Sequence, residues 1–311
     1  MKIPIIANIN DYMIYLFHLR QQSSDYHWFR GHACIDWEPI PSIHRKYQEF
    51  LNRKENFFQH ERYDTNDFQA RASVFISNQP PIDDFSGWLT LMQHYRLPTR
   101  LLDWSRSALI ALYFAVSNER YKDNHGCIWI LKPGKLNEYE KLEKDSEASD
   151  GSVIKNVYIY HMKHKTIHTM IFTAFRRWKL NNFSTPEDIK FNHRMEDLDD
   201  KIAACYPTEN DARVYNQQSV FTVHNSLRRL NNIHKGSLLK KIAIPAYVKT
   251  SLLNQLSICG ITQSSLFPDL EHLALEFDHT YQNTDLNVYS KNDLMQIYSS
   301  EEIDKYNWEL Q

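Results

Sequence analysis

A chain of 311 residues, 42% hydrophobic and 24% charged, has the length of one large domain or two small ones and is too apolar for wholesale disorder. Its net charge of −2 excludes the overall basic field of a general nucleic-acid binder, although a local basic patch stays open. The four cysteines, Cys34, Cys127, Cys205 and Cys259, are too far apart for a CxxC knuckle, and buried free thiols are expected rather than a disulfide framework.

The N-terminal stretch MKIPIIANINDYMIYLF lacks the basic, apolar and small-residue order of a signal peptide. The longest apolar run, Ala108–Val116, is far short of the ~20 residues of a membrane span, so the expected setting is cytoplasmic, without membrane. Asn10 reads as the cap of a helix over 11–20, and the aromatic Tyr26–Gly31 as a strand ending in a turn. Ser42 begins a long helix to about Tyr63, whose Arg45, Glu49, Arg53 and Glu61 read as a solvated face. Helices follow over 66–77, stopped by Pro80-Pro81, and from Ser86 to Tyr95, ended by Pro98. Asp103–Ser107 lead into a helix over 107–119 that is apolar on all sides and therefore central.

Gly126–Leu131 is a strand closed by Pro133-Gly134, and residues 135–156 are polar enough for a surface excursion. Residues 157–200 read as peripheral helix. Strands are expected at Val220–Val223 and Leu239–Ile244, then a helix over 247–258 with Gly260 at its left-handed end. A last amphipathic helix begins at Ser265 with Pro268 in its first turn, and the polar tail after Thr280 is expected to be loosely attached. No internal repeat occurs.

Two segments, 28–31 and 93–107, concentrate the side chains suited to chemistry. Arg30 followed by Gly31 at a strand end suits a phosphate or carboxylate, because the guanidinium forks and glycine admits a ligand to the backbone. The competing use of Arg30 is a pair with a buried carboxylate such as Asp103. The stretch from Gln93 through His94, Tyr95, Arg100, Asp103 and Trp104 to Ser105 is too dense in hydrogen-bonding groups for a plain loop. Within it, Asp103 or Ser105 is expected to cap the next helix, and Arg100 to pair with Asp103. Arg213 and Gln217 precede a strand, where Gln217 serves a ligand amide or the strand's own backbone. Asp269 and Glu271 read first as helix-dipole compensation. His161, His164 and His168 share a helical spacing but have no carboxylate or cysteine nearby, so no metal site is expected. No HExxH, Walker loop, GxGxxG or GxSxG is present, which disfavours the corresponding enzyme classes.

Phe29-Arg30-Gly31, Pro41-Ser42, the block from Gln93-His94-Tyr95 through Leu97-Pro98-Thr99-Arg100-Leu101-Leu102-Asp103-Trp104-Ser105, and Ala111-Leu112-Tyr113-Phe114-Ala115 resemble the FRG domain family. Arg213, Gln217, Val220-Phe221, Gly260-Ile261 and Leu266–Leu270 extend the resemblance over about 9–278. A more distant similarity is to ADP-ribosyltransferases of the arginine–serine–glutamate type. Phe29-Arg30-Gly31 looks like their first element, and Asp103–Ser107 with Ala111, Phe114 and Ala115 like their second. Where those enzymes carry Glu-x-Glu before an apolar strand, this chain has Gln217-Gln218-Ser219.

The resemblance implies an α+β fold: a central, small mixed or antiparallel sheet with surrounding helices and an ADP-ribosyltransferase-like core. An FRG-type domain would span 9–280, with a helical insertion near 135–210 and a polar C-terminal tail over 281–311. It further implies NAD as co-substrate and no metal. Arg30, Asp103, Ser105 and Glu271 would be catalytic, and Arg30, Gly31, His94, Tyr95, Arg100, Trp104, Arg213 and Gln217 would bind the nucleotide-like molecule. Arg30 would take a phosphate, the Gly31 backbone the nicotinamide amide, and Trp104 or Tyr95 would stack on its ring. A transferase or NAD glycohydrolase of this kind would be a toxin or anti-phage effector with a protein or nucleic-acid acceptor. The alternative is a non-catalytic FRG module that binds a nucleotide-like or phosphorylated ligand or partner.

Overall fold

The computed structural model describes residues 2–46, 57–72, 74–76, 79–82, 84–142, 160–161, 200–207, 212–279 and 287–309. In chain order, strand β1 (Ile3–Pro4) leads to helix α1 (Ile9–Gln22), strand β2 (Trp28–His32) and helices α2 (Ser42–Lys46), α3 (Phe57–Ala72) and α4 (Phe85–His94). Strand β3 (Leu101–Ser105), helix α5 (Ala108–Val116), strand β4 (Gly126–Leu131), helix α6 (Pro133–Tyr139) and strands β5 (Tyr160–His161) and β6 (Ile202–Tyr206) follow. The C-terminal part comprises helix α7 (Ala212–Asn216), strands β7 (Ser219–His224) and β8 (Leu239–Ile244), helices α8 (Lys249–Ile258), α9 (Gln263–Leu266), α10 (Leu270–His279), α11 (Lys291–Ile297) and α12 (Ser300–Lys305), and strand β9 (Trp308–Glu309).

The architecture is α+β. Seven strands form one sheet in the order β5-β6-β7-β3-β2-β4-β8, antiparallel except for β5 beside β6, and a two-stranded sheet pairs β1 with β9. The apolar α5 packs on β2 and β4, with Ile110, Ala111, Leu112, Tyr113, Ala115 and Val116 buried, so it is central as its composition requires. A second, smaller core on the other side of β3 joins Leu89, Met92 and Leu101 to Phe221 and Val223.

Several expectations need correction. Asn8, not Asn10, caps α1, accepting from the Asp11 N–H at 2.9 Å. Residues 101–105 form a strand rather than a lead-in loop, and the hydroxyl of Ser107, not Asp103 or Ser105, caps α5. The stretch expected as one helix from Ser42 to Tyr63 contains the five-residue α2 and the start of α3, and α3 also takes in part of the helix expected over 66–77. Glu49 and Arg53 lie outside the described residues. Pro133-Gly134 opens α6 rather than a loop, and Pro268 precedes α10 rather than sitting inside it.

Ile202–Tyr206, inside the segment read as a helical insertion, is a strand of the main sheet. Tyr160-His161 is also a strand, while His164 and His168 lie outside the described residues. The polar tail is not loose at its end. Trp308 is 3% exposed, β9 pairs with β1, and Trp308 packs on His125, Tyr298 and Tyr306. Three cysteines are buried, but Cys259 is exposed at the end of α8. There Gly260, at φ 74°, donates to Ser257 O while Ile261 donates to Leu256 O, the paired bonds that close a helix on a left-handed residue. Among the described residues no helix is long and apolar enough to cross a membrane.

Candidate functional site

β2 and β3 pair at Phe29 and Ser105, and beyond that pair a cleft of about 870 Å³ opens beside them. Its lining draws on the end of β2 and the following turn (Arg30, Gly31, His32, Trp37), the end of α4 (Gln93, His94), β3 (Asp103, Trp104, Ser105) and the approach to β7 (Arg213, Gln217). The fold therefore brings segments 28–31 and 93–107 together, and adds 213–219 to them.

Arg30 bridges the two strands. Its Nη1 donates to the Asp103 carbonyl at 2.6 Å and lies 3.8 Å from Asp103 Oδ2. Its Nε donates to His32 Nε2 at 2.9 Å. Because a guanidinium only donates, His32 Nε2 must accept, so the proton sits on Nδ1 and is given to the Trp37 carbonyl at 3.1 Å. Burial and the adjacent Arg30 charge hold His32 well below the usual imidazole range, which keeps it neutral and able to accept. Burial also draws Arg30 down to about 10, with Asp103 opposing the shift and Arg45 adding to it. Arg30 thus remains a cation at neutral pH.

Asp103 is held from its other side. Its Oδ2 accepts from Gln93 Nε2 at 2.6 Å, Gln93 Oε1 accepts from the Thr99 hydroxyl at 2.6 Å, and the Thr99 N–H reaches Ser42 Oγ at 3.1 Å. The carboxylate is nevertheless 49% exposed, on the cleft side of this chain. Arg45 and Arg96, both exposed residues, add two further arginines to the lining, and Arg45 Nη1 donates to the Ile40 carbonyl. Burial lowers Arg45, while Asp103 raises it.

Other expected site residues have different duties. Arg100 is fully buried and pairs with Glu61, also fully buried, rather than with Asp103. Glu61 takes both the Arg100 backbone N–H and its Nε, and Asn225 Oδ1 accepts from Nη1 at 2.9 Å. Glu61 is therefore not on a solvated face. The Ser105 hydroxyl is engaged twice, donating to Gln217 O at 2.8 Å and accepting the Ser107 N–H at 3.0 Å. Gln217 donates its side-chain amide to Leu266 O at 3.1 Å, the backbone-satisfying use.

Trp104 borders the cleft but is 3% exposed, with Nε1 given to Thr222 Oγ1 at 3.1 Å. Tyr95 is 56% exposed and outside the lining, tilted against the His94 ring. Arg213 lines the cleft with its guanidinium 4.5 Å over the Phe267 ring, and it reaches His94 O at 3.4 Å. Glu271 is exposed in the first turn of α10 and is not in the lining, whereas Asp269 caps that helix through the His272 N–H.

Gly31 has a structural reason. A Cβ there would lie 1.9 Å from the Ala111 carbonyl oxygen and 2.7 Å from the Ala115 nitrogen, so the missing side chain makes room for α5, while Gly31 also borders the cleft. Sequence reasoning missed His32, Trp37, Arg45 and Arg96 as neighbours of the cleft. His32 carried a usable signal, since i and i+2 on a strand share a face with Arg30. Among the described residues no cluster of His, Cys, Asp and Glu is suited to a metal ion.

The family model of the FRG domain matches residues 25–124, so this stretch is an FRG domain, and it contains β2, β3, α4 and α5. Neither the curated proteins nor the solved structures yield a match to the chain.

Proposed function

From an FRG domain whose Arg30 and Asp103 share one cleft, we propose that this protein binds NAD and consumes it, as an ADP-ribosyltransferase or an NAD glycohydrolase. The observation that carries the reading is that pairing: a fixed guanidinium and a half-exposed carboxylate, both oriented by neutral partners. Breaking the nicotinamide–ribose bond passes through an oxocarbenium-like state, and the leaving group is already cationic, so no general acid is required. The chain must hold the diphosphate and place negative charge where the ribose becomes positive.

Arg30 and Arg45 supply the cationic pole. Three carboxylates line the cleft, of which Glu38 is paired with Arg229 at 2.6 Å and Asp36 lies within 3.9 Å of the Cys34 thiol. Asp103, on a strand and next to Arg30, is the one placed to face a bound ribose. Glu271, outside the lining, drops out of the mechanism, and the hydroxyl of Ser105 positions the β3–α5 turn. The acceptor would be water, a protein or a nucleic acid, and consumption of NAD would suit a toxin or anti-phage effector.

The second reading is a module that binds a nucleotide-like or phosphorylated ligand without turnover. It draws on Gln217, which stands where a catalytic glutamate would and whose amide is committed to Leu266 O. Nicotinamide release by purified wild type, Arg30→Ala and Asp103→Asn separates the two. Catalysis requires release by the wild type, loss of both binding and release in Arg30→Ala, and a ~10²–10³-fold lower rate with NAD affinity retained in Asp103→Asn. NAD binding without release favours the module, and no NAD binding by the folded wild type removes the NAD-consuming reading and leaves a module for another nucleotide-like or phosphorylated ligand.

A further inference from the structure

Trp37 is the most exposed aromatic residue of the cleft: it is 40% exposed, whereas Phe29, Trp104 and Phe221 in the same lining are 8%, 3% and 2% exposed and Phe114 and His94 are half-buried. An indole left open to water costs solvation unless something covers it, and this one is also held still. Its ring meets Tyr121 edge to face at 4.7 Å and 77°, and His32 at 6.0 Å and 68°. Its backbone N–H closes a turn onto Cys34 O at 3.2 Å, and its backbone carbonyl accepts from His32 Nδ1. One imidazole thus holds the Arg30 side chain through Nε2 and the Trp37 backbone through Nδ1, with its ring against the edge or face of the indole.

We propose that Trp37 and Arg30 form a bipartite recognition site for a nucleotide, with the base or nicotinamide ring stacked on the indole and a phosphate on the guanidinium. This deepens the reading of the cleft as a nucleotide site and rests on it, but it does not require turnover. A nucleotide carries both a flat heterocycle and an anion, the two chemistries that Trp37 and Arg30, each in contact with His32, offer in one cleft. Both groups are ordered before binding, so stacking and charge pairing lose little to immobilisation. Trp104 and Tyr95 do not serve as the stacking residue, because one is buried with its N–H committed and the other stands outside the cleft. His32 is a positioning residue here: it touches the two recognition groups and need not touch the ligand.

The test is calorimetric titration of the full chain at fixed ionic strength with adenosine monophosphate, NAD, ribose 5-phosphate and inorganic pyrophosphate. Base–aromatic stacking predicts that Trp37→Ala weakens the first two by ~10-fold or more and leaves the last two unchanged. Trp37→Phe, which keeps a flat face, should retain most of the affinity. A uniform loss over all four ligands, or no loss for the nucleotides, overturns the assignment.

Wild type alone gives an independent check if Trp37→Ala does not fold. Adenosine monophosphate must bind at least ~10-fold tighter than ribose 5-phosphate, and equal affinities overturn the role of the ring. Ring-dependent nucleotide binding without nicotinamide release would leave this inference standing while the catalytic reading fails. Absence of binding by every nucleotide overturns both.

Discussion

Gly31→Ala separates a glycine kept for packing from one kept for a ligand. The added Cβ would sit 1.9 Å from Ala111 O, while an unstrained carbon–oxygen contact is ~3.3 Å, so α5 would have to withdraw by ~1.4 Å. That helix is buried along most of its length, against β2 and β4 on one side and α8 on another. A shift of this size must unpack neighbours in an interior that is close-packed. One added methyl in a full core costs ~1–3 kcal/mol, and a clash with backbone that cannot rotate aside belongs at the top of that range. Replacing glycine in a strand returns ~0.5–1 kcal/mol of conformational entropy, leaving a net loss of ~2 kcal/mol.

Urea denaturation reads this as a lower midpoint at constant slope. Ala111→Gly should not rescue the variant, because the obstructing atom is a backbone oxygen rather than the Ala111 methyl. Wild-type stability together with lost nucleotide binding would refute the packing argument and return Gly31 to the ligand.

Other perturbations test the surrounding assignments. Glu61→Gln leaves the buried Arg100 without its counter-charge and should cost ~3–5 kcal/mol in chemical denaturation, while the double replacement Glu61→Met with Arg100→Met should recover much of it; a near-neutral single variant would mean the pair is not buried. Ser105→Ala removes two bonds at the β3–α5 turn and should lose ~1–2 kcal/mol while nucleotide affinity and any nicotinamide release stay as in wild type; a selective collapse of turnover would place the hydroxyl in the chemistry. Acid should destabilise the fold through buried neutral histidines. Burial, aided by Arg100 and Arg45, lowers His44 to about 4 from an unfolded value of 6.5, so the unfolded chain takes the proton first and stability falls as pH drops through that window. The slope due to His44 is at most ~1.4 kcal/mol per pH unit, and His44→Gln should flatten the melting-temperature profile between pH 6.5 and 4 relative to wild type. Parallel profiles would show that His44 titrates normally in the fold.

Where periodicity or composition was unambiguous, the elements were legible: α5 is apolar on every side, Gly126–Leu131 is a run of β-formers, and Gly260 ends a helix as its position suggests. The failures have physical causes. β3 is LLDWS, a strand whose polar Asp103 faces a cleft, so it lacks the alternation that marks a half-buried strand. β6 sits between long polar stretches and is recognisable only through its pairing with β7, a long-range contact that local propensity does not carry. The tail is polar on average, yet Leu294 and Trp308 anchor it, and two apolar residues in such a segment leave little periodic signal.

The two arginines of the motif region show why a site is harder to read than a fold. Arg30 lies in β2 and Arg100 just before β3, and each has a carboxylate within plausible reach in the sequence. Pairing Arg100 with Asp103 was the natural inference because they are three residues apart. Three residues along an extended chain, however, point to opposite faces, and β3 places Asp103 toward β2 instead. Arg100 therefore takes Glu61 from α3, a partner 39 residues earlier that helical charge patterning assigns to solvent. Once that pair is closed and dry, it cannot also serve a ligand without leaving a buried charge unmatched, at a cost of several kcal/mol. Arg30, by contrast, contacts a neutral imidazole and a carbonyl, and its 3.8 Å approach to Asp103 is too long for a closed bidentate pair. Its charge is oriented but only partly neutralised, in a lining shared with Arg45. Of the two, Arg30 is the one that an incoming phosphate can complete.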